Sequence, residues 1–372
     1  MSKHLYFVAG EASGDEHGAA LLRALHELKP DARFSGRGGP RMAAIAGEAF
    51  TNWSESAAVV GLWEVVKRYG YFRRQFRETL EEIAAARPDA VVLIDYPGFN
   101  LRLARALRRR QPALKIIYYI SPQVWAWNRA RIPQMAKSLD LMLCIFPFEA
   151  ELYNQSGLRT IFVGHPMLQN LAARRTTMAR DENLVGLFPG SRAREVRKIF
   201  PVLLDAAETM TRARPQLRFE VAAASATLAA EIREMIAGKQ NIALATDGTA
   251  ELMQRACVGA VASGTATLEA AYFRLPFVLV YKVSWLTYVA ARFLVKVKFL
   301  GMPNVLAGRE IVREFIQHRA QPRAIADALL TLMTDTEARE RVVSEFDEII
   351  ERLGAENASA TAAQAILREL AA

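Results

Sequence analysis

The sequence predicts an α/β protein made of two doubly wound, Rossmann-like domains, and three observations lead to this prediction. Its 372 residues suffice for two domains at roughly 100–200 residues each. Short apolar segments alternate with longer amphipathic ones, which is typical of parallel sheets covered by helices on both faces. Each half of the chain begins with an apolar segment and a glycine-rich turn, FVAGEASGD and then GLFPGSR. Two such domains are expected to face each other across a cleft.

Ten segments are predicted to be strands because they are short, apolar and rich in β-branched residues. They are residues 5–9, 90–95, 115–120, 141–146, 160–164, 184–188, 218–223, 242–245, 258–262 and 277–281. Helical patterns such as GAALLRALHELKP lie between many of them. The polar segment TTMARDEN, after Arg174 and Arg175, is interpreted as a linker. The predicted domains are therefore residues 1–172, joined by a C-terminal helix at about 350–372, and residues 173–349.

Composition restricts the class of protein without identifying its partner. Apolar residues make up 52% and charged residues 23%, so the chain is not expected to be disordered. The net charge of +9 favours anionic partners: nucleotides, phosphates, nucleic acid or an anionic membrane surface. Cys144 and Cys257 lie in apolar segments and are expected to be buried thiols. We expect neither a signal peptide nor a spanning helix, and therefore a reducing cytosol.

The first glycine-rich turn, GEASGD, concentrates polar side chains where a strand is expected to end. Gly10, Ser13 and Gly14 allow the backbone to approach a ligand, and the N–H groups of the following helix favour an anion. Ligands of doubly wound sheets bind beyond the carboxyl ends of the strands, so Glu11 and Asp15 are candidate functional groups. The alternative is that Ser13 or Asp15 only caps that helix.

A further carboxylate, Asp95, ends an apolar strand in LIDYPGFN, where Pro97 and Gly98 force a turn. A carboxylate in this place is well positioned as a general base, and its apolar neighbours are expected to raise its pKa. The alternative is an Asx turn, in which Asp95 bonds to the backbone two residues on.

The loop YYISPQVWAWNRARI combines aromatic rings with polar side chains. Aromatic residues are usually part of a core, whereas rings beside amides and hydroxyls also suit a wall that binds a sugar or an acyl chain. The candidates for such a wall are Ser121, Trp125 and Trp127.

Two strand-to-helix turns in the second half suit phosphate oxygens, because they combine backbone N–H groups, hydroxyls and a guanidinium group. Together with an acid able to hold ribose hydroxyls, they suggest a nucleotide diphosphate, while helix capping is the alternative. A GxGxxG fingerprint is absent from the sequence, which disfavours a dehydrogenase. The candidate residues are Gly190, Ser191, Arg192, Ser263, Gly264, Thr265, Thr267 and Glu269.

Two basic segments rich in aromatic residues, 63–77 and 283–301, bear on membrane contact. Helices of this composition often lie in a membrane interface. The commoner alternative for one such helix is a core face with solvated lysines. Two of them on a basic protein favour membrane contact, with Trp285, Leu286 and Phe293 as the candidate residues.

Six motifs occur in order along the chain: GEASGD, SPQVWAW, GHP, PGSR, SGTATLE and PNVLAGRE. Together they resemble lipid-A-disaccharide synthase, a glycosyltransferase family of bacterial lipid A assembly, over essentially the whole chain. The resemblance implies a two-domain GT-B fold and an inverting reaction. In it, 2,3-diacylglucosamine passes from its UDP conjugate to 2,3-diacylglucosamine 1-phosphate, giving a β-1,6 disaccharide and UDP. It also implies that no metal or other cofactor is needed, and that the enzyme works peripherally on the cytosolic face of the inner membrane.

The same resemblance implies roles for the candidate residues. UDP is expected on the second domain, where Asn304 helps to shape the donor side, and the acceptor on the first domain around GEASGD. Asp95 is the first candidate for the base that deprotonates the acceptor 6-hydroxyl, with Glu11 and Asp15 behind it. The expected partners are the two substrates and an anionic inner-membrane surface, not nucleic acid, and a homodimer is left open.

Two residues depart from the family pattern. The family usually has an acid at the position of Gly98 and a small hydroxyl residue at that of Gln123. Three other functions would each explain part of the sequence. A UDP-sugar epimerase of the same fold would explain the nucleotide loops but not the lipid-facing segments. A transferase for another lipid-linked sugar would fit both features. A non-catalytic membrane-surface binding module would need neither Asp95 nor the paired loops.

Overall fold

The computed structural model describes residues 2–53, 69–245, 248–285, 297–354 and 357–371. The chain forms two compact units, Met1–Pro166 with Leu353–Ala372, and Met167–Arg352. Every strand pairing in the described residues is parallel, and helices connect the strands. The predicted architecture of two doubly wound α/β domains is confirmed.

The first unit contains a seven-stranded sheet. Its strands are β1 (His4–Ala9), β2 (Arg33–Gly38), β3 (Phe50–Asn52), β4 (Ala90–Ile94), β5 (Lys115–Tyr119), β6 (Leu141–Cys144) and β7 (Thr160–Phe162). Its helices up to Pro166 are α1 (Ala12–Leu28), α2 (Pro40–Ala46), α3 (Tyr69–Ala86), α4 (Pro97–Arg110), α5 (Val124–Trp127), α6 (Ile132–Ala136) and α7 (Pro147–Gln155). The strand order is β3-β2-β1-β4-β5-β6-β7.

The second unit contains a six-stranded sheet. Its strands are β8 (Asp181–Phe188), β9 (Arg218–Val221), β10 (Ile242–Leu244), β11 (Ala256–Ala262), β12 (Phe277–Tyr281) and β13 (Glu314–Ile316), in the order β10-β9-β8-β11-β12-β13. Its helices are α8 (Met167–Ala172), α9 (Ala193–Ala213), α10 (Ala226–Met235), α11 (Thr249–Arg255), α12 (Ala266–Tyr272), α13 (Met302–Ala307), α14 (Pro322–Thr334) and α15 (Thr336–Arg352). The chain then returns to the first unit with α16 (Ala358–Ala371).

Helix α16 is part of the core of the first unit. Its Ile366 lies in the same apolar cluster as Leu21 of α1. Glu369 of this helix is 6% exposed and pairs with Lys115 at 3.5 Å and with Arg159 at 2.6 Å. Apolar packing and these two ion pairs together hold the end of the chain on the unit that contains its beginning.

All ten predicted strands are present, whereas β2, β3 and β13 were not predicted. Strand β2 has the polar sequence RFSGRG, which lacks an apolar pattern. A Cβ atom on its Gly36 would lie 2.1 Å from the carbonyl oxygen of Phe7, so β2 pairs with β1 only because this position has no side chain. Strands β3 and β13 are three residues long, which is too short for a pattern.

Each sheet has one point at which the direction of strand addition reverses. In the first sheet, β2 and β3 follow on one side of β1, and β4 then pairs with its other side. In the second sheet, β9 and β10 follow on one side of β8, and β11 pairs with its other side. Open α/β sheets bind ligands outside the carboxyl ends of the strands at these switch points. Functional groups are therefore expected at the ends of β1, β4, β8 and β11.

Candidate active site

The switch point of the first sheet brings the first glycine-rich turn next to Asp95. Strands β1 and β4 pair in register, with Ala9 opposite Ile94, so Gly10 and Asp95 follow paired residues. A Cβ atom on Gly10 would lie 2.3 Å from the ring of Tyr96, so this close approach requires glycine. The structure thus places two segments together that are far apart in the sequence.

Asp95 and Tyr96 both have left-handed backbone conformations, with φ of +46° and +49°. Such conformations are unfavourable for residues with a Cβ atom and are found preferentially at functional sites. The predicted alternative of an Asx turn is wrong, because the residue two positions on is Pro97, which has no N–H group to donate. The Asp95 carboxylate is therefore not occupied by that bond.

Burial, followed by the nearby charge of Glu11, raises the pKa of Asp95 to about 6. A raised pKa is what the sequence predicted from the apolar neighbours of Asp95. A carboxyl group with such a pKa is ionised at neutral pH and is still basic enough to accept a proton from a hydroxyl group in a transition state. Glu11 is exposed at the start of α1, so its carboxylate is open to a ligand while it acts on Asp95.

Two side chains that the sequence did not single out hold the backbone of Asp95. The Asn100 amide nitrogen donates to the carbonyl oxygens of Val8, Ile94 and Asp95 at 3.3, 3.1 and 2.9 Å. The Tyr118 hydroxyl donates to the Asp95 carbonyl oxygen at 2.5 Å. Asn100 is fully buried, and these bonds fix the ends of β1 and β4 against each other. Asn100 is therefore a positioning residue for Asp95.

Replacing Asn100 with alanine is expected to lower turnover about 10- to 100-fold, because a displaced Asp95 carboxylate would align less well with a substrate hydroxyl. It is also expected to destabilise the fold by about 1–3 kcal/mol, since three carbonyl groups lose a buried donor. If Asn100 positions Asp95, the acidic limb of the pH–rate profile will also move to lower pH as the carboxyl group gains water. Asn154→Ala is the control, because Asn154 also donates to two backbone carbonyls of this unit. An unchanged acidic limb in Asn100→Ala would contradict the positioning role.

Asp15, a predicted candidate for the base, is a structural residue. It is 3% exposed, and its carboxylate accepts the backbone N–H groups of Gly39, Arg41 and Met42 at 2.9, 3.0 and 3.0 Å. It therefore caps α2, rather than α1 as the alternative had it. These three bonds give Asp15 a structural role, and its place behind Asp95 among the candidate bases stays a prediction. Ser13 and Glu11 are the exposed polar groups of this turn.

The aromatic loop after β5 is also held by hydrogen bonds within the protein. Ser121 and Trp125 are each 4% exposed, and they donate to the carboxylate of Glu149 at 2.6 and 2.8 Å. Burial raises the pKa of Glu149 to about 7. Ser121 and Trp125 thus anchor the loop on Glu149, at the start of α7, and their contact with the acceptor stays a prediction. Trp127 is 39% exposed and presents its ring at the surface.

The two predicted phosphate turns lie side by side at the switch point of the second sheet. Phe188 of β8 is opposite Val261 of β11, and a Cβ atom on Gly190 would lie 3.6 Å from that of Ala262. Gly190 and Gly264 have φ of +114° and +142°, a region that favours glycine. Glycine is therefore needed at these two positions for the backbone conformation of the turns, which lie next to each other.

The polar side chains of these turns divide into open and occupied groups. Ser191 and Thr265 are exposed, and the Arg192 side chain is 73% exposed, 3.1 Å from Glu195. Thr267, in contrast, is fully buried, and its hydroxyl donates to the carbonyl oxygen of Gly264 at 2.8 Å. This bond supports the turn, and the predicted role of Thr267 in ligand binding stays a prediction. Ser263 and Glu269 are partly buried, and burial raises the pKa of Glu269.

Asn304 likewise forms its hydrogen bonds within the protein. It is fully buried, and its amide nitrogen donates to the Val312 carbonyl oxygen at 2.8 Å and to the Glu314 carboxylate at 2.9 Å. Its amide oxygen accepts the backbone N–H groups of Ile311 and Val312 at 2.7 and 2.9 Å. These bonds hold the PNVLAGRE segment together, and the role of Asn304 in shaping the donor side stays a prediction.

The predicted membrane residues are only partly within the described structure. Trp285 is 71% exposed, whereas Leu286 and Phe293 lie outside the described residues. None of the helices in the described part of the chain has the length and apolar character needed to cross a membrane. Cys144 and Cys257 are buried free thiols, as predicted. Within the described ranges, no group of three or more His, Cys, Asp or Glu side chains is arranged to hold a metal ion.

Comparison with known proteins connects this site with a reaction. The family described as lipid-A-disaccharide synthetase matches residues 5–367 of the chain. The chain belongs to this family. It is 38% identical to the lipid-A-disaccharide synthase of Geobacter sulfurreducens, with 99% of this chain and 98% of that protein covered. It is 40% identical to the lipid-A-disaccharide synthase of Pseudomonas aeruginosa, with 97% and 96% covered. The resemblance carried by the six motifs is thus confirmed over the whole chain, and members of this family are hexosyltransferases.

Solved structures at low sequence identity share the fold. UDP-GlcNAc 2-epimerase from Neisseria meningitidis has a TM-score of 0.64 at 12% identity, covering 99% of this chain and 100% of that one. The calicheamicin glycosyltransferase CalG4 has a TM-score of 0.60 at 15% identity, covering 100% and 99%. Both likenesses support the GT-B fold expected of a lipid-A-disaccharide synthetase family member.

Proposed function

We propose that this chain transfers 2,3-diacylglucosamine from UDP-2,3-diacylglucosamine to 2,3-diacylglucosamine 1-phosphate, producing the β-1,6-linked disaccharide 1-phosphate and UDP. The observation that carries the proposal is the family match over residues 5–367, which includes both switch-point sites. A UDP-sugar and a lipid-linked acceptor are the substrate classes that this family implies. The second unit is the donor-binding domain in this proposal, and the first unit is the acceptor-binding domain.

In the proposed mechanism, Asp95 acts as the general base. Its ionised carboxylate takes the proton of the acceptor 6-hydroxyl as that oxygen attacks the anomeric carbon of the donor. The bond between this carbon and the UDP oxygen breaks on the opposite face, so the configuration inverts. The raised pKa of Asp95, about 6, supports this role, because a carboxyl group of ordinary pKa would be a weaker base.

Arg192 and the turn around it are proposed to hold the diphosphate. The guanidinium group is largely exposed, and the N–H groups at the start of α9 are directed out of the sheet edge. Negative charge develops on the diphosphate as its bond to the sugar breaks, so these groups bind the transition state more strongly than the ground state. Ser191, Gly264 and Thr265 supply further donors in the same place.

The alternative functions are not favoured. The likeness to epimerases is one of fold at 12% identity, whereas the whole chain matches the synthetase family. A direct assay separates all of the alternatives. UDP-diacylglucosamine is incubated with the protein, with and without the phosphorylated acceptor. We expect disaccharide and UDP in equal amounts only when the acceptor is present. Conversion of the donor without acceptor would point to an epimerase, and no conversion in either mixture would point to a binding module.

We further propose that the protein works on the cytosolic face of the inner membrane, where its diacylated substrates reside. A net charge of +9 and the exposed Trp285 support contact with an anionic surface. A homodimer is compatible with this proposal but is not required by it.

Replacing Trp285, Leu286 and Phe293 with serine is expected to reduce binding to anionic vesicles about tenfold or more, because each loses apolar area from the interface. Sedimentation with vesicles at two salt concentrations measures the effect. Leu28→Ser and Met178→Ser are the controls, because both residues are also exposed apolar residues. A large fall in the thermal midpoint of the triple variant would show that the segment belongs to the core instead.

A further inference from the structure

A cavity of about 340 Å³ lies beside helix α4 in the first unit. Its walls are the first three turns of α4, beginning at Pro97, and the segment 128–139 that follows the aromatic loop. The lining contains three arginines, Arg102, Arg105 and Arg131, and no aspartate or glutamate. Asn128, Gln134 and Ser138 add neutral polar groups to the same walls. The cavity is thus a strongly positive site built from two separate segments.

The three positive charges are not neutralised by carboxylates in the part of the chain that the structure describes. Arg102 and Arg105 are three residues apart and lie on one face of α4. Arg105 donates to the carbonyl oxygen of Leu101 in its own helix, at 3.3 Å. The Arg131 guanidinium carbon lies 4.8 Å from the ring centre of Trp127.

The next arginine on α4 is paired with a carboxylate of the protein. Arg108 donates to the carboxylate of Asp140 at 2.5 Å, so its charge is compensated within the protein. Arg102 and Arg105, in contrast, are exposed, and their guanidinium groups are accessible to a ligand that enters the cavity. An anion with several oxygens would replace the missing carboxylates.

The position of the cavity connects it with the proposed base. Pro97 and Gly98, which line it, come two and three residues after Asp95. A Cβ atom on Gly98 would meet nothing within 4 Å, so this end of the cavity is open. The exposed ring of Trp127 is adjacent in sequence to the lining residue Asn128.

We propose that this cavity binds a phosphomonoester dianion, the 1-phosphate of the acceptor sugar, and that it makes the enzyme selective for phosphorylated acceptors. The proposal rests on the proposed function. An acceptor that reacts through its 6-hydroxyl carries its phosphate across the same sugar ring, so a phosphate site is needed about one ring away from the base. Guanidinium groups suit this site because they remain charged and donate in pairs to phosphate oxygens.

Two acceptors that differ only in the 1-phosphate test the proposal. The wild-type enzyme is expected to prefer the phosphorylated acceptor in kcat/KM. In Arg102→Gln/Arg105→Gln, and separately in Arg131→Gln, this preference is expected to fall about 10- to 100-fold, as for lost charge-assisted hydrogen bonds. The loss should occur in the acceptor KM, while the donor KM stays unchanged. Calorimetry with soluble glucosamine 1-phosphate and with glucosamine provides a second measurement that does not depend on turnover.

Arg109→Gln is the matched control, because Arg109 is exposed on the same helix and does not line the cavity. It should leave both measurements unchanged. An unchanged preference in folded cavity variants would overturn the proposal. Reduced binding to anionic vesicles with unchanged preference would also overturn it, because the cavity would then hold a membrane headgroup. Wild-type protein that forms no disaccharide would refute the proposed function, whereas loss of glucosamine 1-phosphate binding in the variants would still support the phosphate site.

Discussion

Asp95→Asn is expected to lose about 10²–10⁴-fold in turnover while UDP affinity is unchanged, because the asparagine amide cannot accept the proton of the acceptor hydroxyl. In the wild-type enzyme, the rate should fall as the pH decreases through about 6, where Asp95 becomes protonated. The variant should lack this acidic limb. Steady-state kinetics from pH 5 to 8 and calorimetric titration with UDP measure the three quantities.

The change in stability caused by Asp95→Asn also distinguishes a functional carboxylate from a structural one. The pKa of Asp95 is raised to about 6 in the folded state, against about 3.9 in an unfolded chain, so ionising it disfavours the folded state above that range. Asp95→Asn should therefore be more stable than the wild type at pH 8, by up to about 3 kcal/mol at about 1.4 kcal/mol per pKa unit. At pH 4 the two proteins should differ little. Equal destabilisation at both pH values would indicate that Asp95 supports the fold.

Glu11→Gln is the informative companion variant. Glu11 contributes to the raised pKa of Asp95, so its removal should move the acidic limb to lower pH and reduce turnover less than Asp95→Asn does. Asp15→Asn should mainly lower stability, because it weakens the cap of α2. If Asp95→Asn retains near-normal turnover while Glu11→Gln loses it, the base is in the GEASGD turn.

The second large effect is expected at Arg192. Arg192→Ala should weaken UDP binding by about 1.5–3 kcal/mol, as for a hydrogen bond to a charged group. It should slow the chemical step by about 10²–10³-fold in addition, because the developing diphosphate charge loses its stabilising group. Titration with UDP measures the loss of binding, whereas kcat/KM for the donor also includes the slower chemical step.

Arg212→Ala is the control, because Arg212 is an exposed arginine in the last turn of the same helix, α9. It removes the same net charge without touching the turn. Equal effects of the two variants would mean that overall charge, rather than a contact, attracts UDP. A structure with UDP bound that placed the diphosphate at residues 10–15 would contradict the assignment of the donor to the second unit.

The sequence by itself determined the ten regular strands and the two glycine-rich turns, and it singled out Asp95 and Arg192 as candidates. These features are local: an apolar run and the turn that ends it lie within a few residues of each other. The functional candidates at the two switch points followed from the same information, because the carboxyl edge of a parallel sheet can be inferred from strand direction alone.

Only the tertiary structure decided which polar side chains remain open to a ligand. Asp15 caps a helix that begins 25 residues later in the chain, and Ser121 bonds to a carboxylate 28 residues away. Asn304 bonds to the segment that folds back over it. The physical reason is that buried N–H and carbonyl groups must find partners wherever the fold places them. A polar residue at a strand end therefore looks the same in the sequence whether its partner is a ligand or a distant part of the same chain.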